Sequence, residues 1–350
     1  VTVQSDVELS VRELDEGAIA AWDRFVFESA QATFFHRAGW KRVIERAFGH
    51  KAHYLYVQAG GVVQGVLPLV HIKHPLFGNA LSSLAFCVYG GPIATSGAAR
   101  RKLDDAAMAL AERLDVDHLE YRSREPAERE GWVQKSDFYY TFRKALDPDV
   151  EKNMLAIPRK QRAMVRKGQG FGLKSEIDAD TKRLYRVYAE SVRNLGTPVF
   201  SRRYFALLKE EFCDDCDNLV VTHEGRPVSG VMSFYFRDEV LPYYGGGTAD
   251  ARRFAANDFM YWEVMRRACE RGCRLYDFGR SKYGTGAFDF KKFWGFPPQP
   301  LSYAYFLRRG KEVPEVNPLN PKYRLFIALW KKLPLPVANA LGPHIVRHLG

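Results

Sequence analysis

Two stretches of this sequence set reactive or anion-binding side chains close together. In the first, a strand ends in Tyr243-Tyr244, a turn of three glycines (Gly245, Gly246, Gly247) follows, and Asn257 caps a helix running to about Arg271. Arg274 to Phe278 reads as the next strand and carries Asp277 near its end. Arg280, Ser281 and Tyr283 come directly after, and then the loop Phe290-Lys291-Lys292-Phe293-Trp294-Gly295-Phe296 puts two lysines among aromatics. A carboxylate at a strand end can act as a base or orient an acceptor amine. A lysine in an aromatic setting can contact an acyl donor or stabilise the oxyanion formed when an amine attacks an ester or thioester carbonyl. Tyr244, Asp277 and Lys292 are therefore the candidate catalytic residues, and Asn257, Arg280, Ser281, Tyr283 and Lys291 the candidate substrate contacts. Each has a plainer reading: Asp277 as a structural carboxylate paired with Arg280, and the lysines as the outward side of an alternating strand.

The second stretch lies upstream, in Ile157-Pro158-Arg159-Lys160-Gln161-Arg162 and Val165-Arg166-Lys167-Gly168. Proline suits the first turn of a helix and glycine its end, so the segment between them reads as a short, strongly basic helix. Arg159, Arg162 and Arg166, three and four residues apart, share a face. No Asp or Glu occurs between Arg159 and Ser175 to neutralise it. A solvated basic face is the ordinary reading of such a run. Missing counter-charges and a position at the junction of two halves favour instead a phosphate or pyrophosphate ligand, held by Arg159, Lys160, Arg162, Arg166 and Lys167.

The elements that must position these residues occur twice. In the first half, a strand at Val7 to Val11, a helix carrying Ile19, Trp22 and Phe25, and a helix from Ala38 to Phe48 precede a hairpin. The hairpin is His53 to Val57 and Val63 to Ile72 about Gly60-Gly61. An apolar strand ending in Val88-Tyr89-Gly90-Gly91, a helix from Arg101 to Leu114 and a strand from His118 to Tyr121 follow. In the second half the hairpin is Asn218 to Thr222 and Pro227 to Phe236, and the strand ending in Tyr244-Gly245-Gly246, a helix and Leu275 to Phe278 come after it. Gly65-Val66 matches Gly230-Val231, Tyr89-Gly90-Gly91 matches Tyr244-Gly245-Gly246, and Leu119-Glu120-Tyr121 matches Tyr276-Asp277-Phe278. A shared order at drifting offsets marks an internal duplication. The class this implies is α/β with mixed sheets, in domains 1–150 and 151–316 with a tail at 317–350. After Tyr121 the first copy has no version of Arg280 or of the lysine-aromatic segment, so it is expected to bind or brace.

Each copy resembles the acetyltransferase-like (GNAT, or acyl-CoA N-acyltransferase-like) fold, a mixed sheet whose central parallel strands splay apart to admit an acyl donor. The tandem pair resembles the FemAB family of aminoacyl or acyl transferases. The basic segment, Tyr276-Asp277-Phe278-Gly279-Arg280-Ser281 and Phe290-Lys291-Lys292-Phe293-Trp294-Gly295 carry that resemblance. With Asn320-Pro321-Lys322-Tyr323-Arg324 added, the sequence looks most similar to FemAB-like proteins associated with exosortase/PEP-CTERM systems. The resemblance covers nearly the whole chain. It implies an N-acyltransferase acting on an amine of an anionic, nucleotide- or lipid-linked envelope precursor, of peptidoglycan or exopolysaccharide. The donor it implies is aminoacyl-tRNA or an acyl-CoA, with no tightly bound cofactor. Coenzyme A-dependent GNAT enzymes resemble one another in a Gln/Arg-x-x-Gly-x-Gly/Ala pyrophosphate loop. The corresponding segment here, Asp250 to Asn257, has no glycine, which keeps backbone amides further from a pyrophosphate and counts against ordinary coenzyme A binding.

Composition agrees with a globular chain and an acidic ligand. Apolar residues make up 46% and aromatics 14%, too many for disorder, and the net charge of +11 favours phosphates, nucleic acid or an anionic membrane surface. Val1 to Ser10 has no leader-like pattern and no run approaches the roughly 20 apolar residues of a membrane span. The five cysteines are an odd number, expected as free thiols in a reducing cytoplasm. Cys213, Cys216, Cys269 and Cys273 have the right type for zinc but the wrong spacing, and Cys269 falls in a core stripe with Phe259, Trp262 and Met265, so no metal is expected. In the tail, Tyr323, Phe326, Ile327 and Trp330 sit beside Lys322, Arg324, Lys331 and Lys332. Such a helix can lie on an anionic membrane as a peripheral contact. Packing back on the first domain is the stronger expectation, because Pro334 stops it after three turns. No Ser/His/Asp or Cys/His arrangement is evident, so direct attack in a ternary complex is expected. Two further functions compete: a coenzyme A-dependent acetyltransferase, and a non-catalytic nucleic-acid or membrane adaptor.

Overall fold

The computed structural model describes residues 8–75, 78–124, 126, 129–136, 138–309, 313 and 321–349. Val7, Asn320 and the side chains of Lys322 and Tyr323 lie outside the described set. The chain divides into two units, residues 1–137 with 301–314 and 348–350, and residues 138–300 with 315–347.

In the first unit β1 (Ser10–Glu13) leads to α1 (Ile19–Glu28) and α2 (Gly39–Phe48), then to the hairpin of β2 (Lys51–Ala59) and β3 (Val62–His74). β4 (Gly78–Ser83), β5 (Ile93–Ala94), α3 (Gly97–Arg113), β6 (His118–Ser123) and β7 (Val133–Lys135) follow. The Val- and Leu-rich β2 and β3 are buried along most of their length, as strands covered on both faces must be. Ser96 caps α3 by accepting from the Ala99 amide. Leu103, Ala107 and Leu110 of that helix then pack with Leu55, Leu67, Leu81 and Leu119. The strand expected to end at Gly90-Gly91 stops at Ser83 instead. Leu84 and Phe86 turn the chain out with φ of 55° and 69°, and the Gly90 and Gly91 amides donate to the Arg122 carbonyl from a loop.

The second unit opens with β8 (Tyr139–Ala145), α4 (Val150–Ala156), α5 (Arg159–Gly170), β9 (Lys174–Asp178), α6 (Lys182–Leu195) and α7 (Arg202–Phe212). The hairpin of β10 (Cys216–His223) and β11 (Arg226–Phe236) leads to β12 (Glu239–Gly247), α8 (Ala256–Glu270) and β13 (Leu275–Asp277). β14 (Ser281–Lys282), α9 (Gly286–Phe293) and β15 (Pro298–Pro300) complete the run. β16 (Ser302–Leu307) belongs to the sheet of the first unit, whereas α10 (Pro321–Trp330) and α11 (Leu335–Val346) belong to the second.

The two sheets share one topology, β1-β2-β3-β4-β6-β16-β7 and β9-β10-β11-β12-β13-β8-β14. Each hairpin is bulged near the same point, at Val57/Gln58 and at Val221/Thr222. Each sheet has one parallel pair, β4 with β6 and β12 with β13. Beside that pair each sheet takes an antiparallel strand from the other half of the sequence, β16 on β6 and β8 on β13. The units are therefore not contiguous segments: 139–145 works in the second sheet and 302–307 in the first. β12 and β13 pair only at Glu239-Val240 against Leu275-Tyr276, after which β12 continues to Gly247 and the strands part.

Three local expectations change. The glycines after Tyr244 form the end of β12, paired with Val231, Gly230 and Ser229 of β11, rather than a turn. A Cβ on Gly246 would lie 2.5 Å from the Ser191 Cβ, so α6 rests directly on the strand. The lysine-aromatic segment is no strand: Phe290 to Phe293, with both lysines, end the helix α9, and Trp294 to Phe296 turn out of it. The tail helices α10 and α11 pack within the second unit, where Ile327 lies against Gly196, Gly342 against Val199, and Arg193 donates to the Lys331 carbonyl; His348 after them belongs to the first unit and lies against His50 and His74.

The basic helix runs past Gly168 to Gly170, and Gly168 serves packing. A Cβ there would sit 2.8 Å from the Phe259 Cβ and 3.4 Å from the Ala255 carbonyl, so α5 and α8 meet at this residue. Gly168→Ala is expected to cost about 1–3 kcal/mol by overpacking, despite the better helix propensity of alanine. Thermal unfolding reads this directly, and an unchanged or higher Tm would show that the interface yields.

Candidate active site

The parting of β12 from β13 places Asp277 at the end of β13, fully buried. Its Oδ1 accepts from the Gly279 amide at 2.7 Å and the Thr141 hydroxyl at 3.1 Å, and its Oδ2 lies 3.2 Å from Arg143 Nε. Arg143, directly opposite on β8, also pairs with Glu239. The first unit repeats this at the matching position. Glu120 accepts from the Ser82 hydroxyl at 2.9 Å and the Tyr305 hydroxyl at 3.1 Å, and pairs with Arg122 at 2.9 Å. Burial pushes Glu120 upward, but the Arg122 guanidinium and these hydrogen bonds hold it below the usual carboxylate range. A carboxylate this deep needs such a partner set. Both Asp277 oxygens are thus engaged, with Arg143 across the strand as an ion-pair partner.

What the turn after β13 supplies is a lysine cradle. Gly279 has φ of 69°, a left-handed conformation that glycine adopts without strain. The Gly279 and Arg280 carbonyls accept from Lys291 Nζ at 3.0 Å and 3.1 Å. Thr285 starts α9 by accepting from the Phe288 amide. Neighbouring residues on a helix point about 100° apart, so the two lysines part company. Lys292 is exposed, while Lys291 is half-buried with its Nζ 5.5 Å from the Phe142 ring centre and 5.8 Å from that of Phe278. Burial lowers the Lys291 pKa to about 7, with the nearby Asp277 charge opposing and the Arg280 charge assisting. The lysine that burial perturbs is Lys291.

The other sequence candidates fall into four places. Around Lys291, Arg280 lies 4.3 Å from the Tyr139 ring centre, Ser281 is buried opposite Tyr140 on β8, and the exposed Tyr283 rests against Tyr140 and Phe288. Tyr244 lies elsewhere. Its hydroxyl shares a 2.8 Å hydrogen bond with the Tyr204 hydroxyl, among Tyr188, Phe200 and Phe205 of the α6–α7 side. Phe278, beside Lys291, packs on Tyr261 of α8, the opposite face of the sheet. Asn257 sits within the first turn of α8 rather than capping it. The helix is entered from Ala255 at φ 53°, and Asn257 Oδ1 is buried against Gly247 without a hydrogen-bond partner among the described residues.

On α5, Arg159, Lys160, Arg166 and Lys167 are exposed, and Arg162 donates to the Leu155 carbonyl at 3.2 Å. This helix begins next to the end of α9: a Cβ on Gly295 would lie 3.2 Å from Pro158. Near the same junction Lys144 donates to the Ala156 carbonyl at 3.2 Å, with its pKa lowered by burial. The residues missed from sequence are those of β8, Tyr139, Tyr140, Phe142, Arg143 and Lys144. Their only signal was a dense aromatic-basic run far upstream of the residues they touch. Burial pushes the Cys216 and Cys273 thiols up to about 12 and about 11, so these are inert at neutral pH.

Residues 152–292, from α4 to α9, match the acetyltransferase (GNAT) domain family. A stretch of 90 residues is 31% identical to the lipid II:glycine glycyltransferase of Staphylococcus haemolyticus, covering 23% of this chain and 22% of that protein; the aligned part is about a fifth of the relative's length. FemX superposes with a TM-score of 0.67 at 15% identity, over 91% of this chain and 100% of FemX. A tandem GNAT protein from the clavulanic acid biosynthesis pathway superposes with a TM-score of 0.55 at 14% identity, over 87% and 100%. At such identities the likeness is one of fold. Among the described residues no helix is long and apolar enough to cross a membrane. The chain is therefore a protein of two tandem GNAT-like domains, an acyltransferase fold, and its second domain carries the acetyltransferase (GNAT) sequence pattern.

Proposed function

We propose that this protein is a FemX-like N-acyltransferase that moves an aminoacyl or acyl group from an activated ester or thioester to an amine of an anionic cell-envelope precursor. The observation that carries this is Lys291, whose Nζ is held on the Gly279 and Arg280 carbonyls directly after β13, between the Phe142 and Phe278 rings, with its pKa lowered by burial to about 7. In its neutral form two N–H bonds go to the Gly279 and Arg280 carbonyls, which leaves the nitrogen lone pair for a proton. The acceptor amine attacks the acyl carbonyl, the C–N bond forms and the C–O or C–S bond breaks. The proton lost by the amine passes to Lys291, which returns it to the leaving oxygen or sulfur. Arg280, Ser281 and Tyr283 line the approach, and Asp277 fixes the Gly279 turn rather than moving protons.

The donor in this reading is aminoacyl-tRNA. Asp258, a carboxylate in the first turn of α8, and the absence of glycine from Asp250 to Asn257 both disfavour a pyrophosphate there. The likeness to a lipid II:glycine glycyltransferase favours a lipid-linked peptidoglycan precursor as acceptor. The resemblance to exosortase/PEP-CTERM-associated proteins favours an exopolysaccharide precursor, and an acceptor screen separates the two. A thermal-shift comparison of aminoacyl-tRNA with acyl-CoA tests the donor. Stabilisation by aminoacyl-tRNA alone is expected. Stabilisation by acyl-CoA alone would make the protein a coenzyme A-dependent acetyltransferase, and stabilisation by neither would overturn the enzymatic reading.

The exposed α5 cations bind the anionic part of the acceptor. Arg159→Glu with Arg166→Glu is expected to weaken that binding about 10–100-fold with Tm unchanged, since both side chains are in solvent. Titration of the precursor by calorimetry checks it, and an unaltered Kd would remove α5 from the site.

A further inference from the structure

We propose that the outward face of α10 and α11 docks on an anionic lipid bilayer. Both helices have two apolar sides where a water-facing pair has one. Inward, Ile327 and Trp330 of α10 and Ala338, Gly342 and Val346 of α11 pack within the second unit. Outward, Leu325 is 69% exposed, Leu329 58%, Val337 41% and Leu341 48%, and Phe326, stacked on the buried Trp330, is partly exposed beside them. Spacings of four residues on each helix (Leu325 with Leu329, Val337 with Leu341) make these continuous stripes rather than scattered residues. Leu195, 68% exposed, adds to them at the end of α6, next to the Gly196 that Ile327 covers.

Charge selects the occupant. Arg324, Lys331 and Lys332 are exposed alongside the stripes, and from Val316 to Gly350 the sequence contains no Asp or Glu. An apolar stripe flanked by cations without counter-charges fits an acyl-chain boundary beneath anionic headgroups. The helices, Pro321–Trp330 and Leu335–Val346, are too short to span a bilayer, so they lie on it. This inference does not rest on the transfer chemistry: vesicle binding is read without any substrate.

The test is flotation of the full chain with phosphatidylcholine vesicles, with and without phosphatidylglycerol, at low salt. Flotation only with the anionic vesicles is expected. Leu325→Ser, Leu329→Ser and Leu341→Ser together leave the charge unchanged and are expected to reduce partition about tenfold or more, with Tm unchanged because all three are exposed. Lys331→Gln with Lys332→Gln is expected to reduce it roughly tenfold. The Arg159→Glu, Arg166→Glu variant should float like the parent, which separates docking through the tail from adsorption through α5. Failure of the parent to float, or flotation of the triple serine variant as strong as the parent's, overturns the proposal. A dimer in solution that the triple variant dissociates, with no vesicle binding by the parent, overturns it in favour of a second copy of the chain as occupant.

Discussion

Lys291→Met is expected to lower kcat/KM for acyl transfer by about 10²–10⁴-fold, the usual contribution of a positioned acid–base group. Methionine has a similar length and flexibility and can occupy the space between Phe142 and Phe278, so the fold should survive. The pH profile carries the diagnosis. A base works in its neutral form, so the parent rate should rise with pH through about 7 and level off above it. Lys291→Arg keeps the charge at every accessible pH and should lose both the rate and the limb near 7. A parent rate that instead falls above 7 would show that the charged form is the working one. Stability gives an independent readout. The pKa of Lys291 is lowered by folding, so between about 7 and the unfolded value of about 10.4 the unfolded chain binds more protons. Stability from this group therefore increases as pH rises through that window, and Lys291→Met should flatten the increase. Lys292→Met, on the exposed side of α9, should change neither profile.

Asp277→Ala is expected to destabilise the protein by about 3–5 kcal/mol, because it removes one partner of a buried ion pair. The cause is visible around the residue: Arg143 loses its cross-strand partner, and Thr141 and the Gly279 amide lose their acceptor. Loss of the Gly279 contact also loosens the turn whose carbonyls hold Lys291, so activity should fall together with Tm. Denaturant unfolding of Asp277→Ala beside Glu120→Ala decides between framework and chemistry. Comparable losses of stability are expected for the two, since both carboxylates stand at the parting of a parallel strand pair. A Tm equal to the parent's with activity abolished would restore Asp277 as the base.

Much of the architecture was legible before folding, for physical reasons. The hairpins about Gly60-Gly61 and Glu224-Gly225 announce themselves through turn residues between apolar runs, and both form. The basic helix was legible from Pro158 and its arginine spacing, and it forms from Arg159. The repeat was legible because order survives where identity has drifted, and the two sheets share their topology. Other assignments failed because short apolar runs do not declare their period. Phe290 to Phe296 fits alternation as well as helical spacing, and the Thr285 cap with Phe288 packed on Tyr140 and Phe142 makes its first part, to Phe293, the end of a helix. Glycines after Tyr244 suit a turn and a strand equally. They are strand because α6 and α8 crowd both faces.

The sequence by itself determined the duplicated α/β plan and the basic helix without counter-charges. These depend on residues near one another in the chain, where periodicity and turn preference act. Only the tertiary structure decided which side chains meet. The Asp277 partners Thr141 and Arg143 lie on β8, with Thr141 separated by 136 positions, because the chain exchanges a strand between its sheets. Tyr244 was turned to the face away from Lys291 by strand alternation combined with a bulge at Met232/Ser233. Lys291 was separated from Lys292 by the rotation of a helix. Burial between two rings, set by long-range packing, then lowered its pKa into the range where a proton can move.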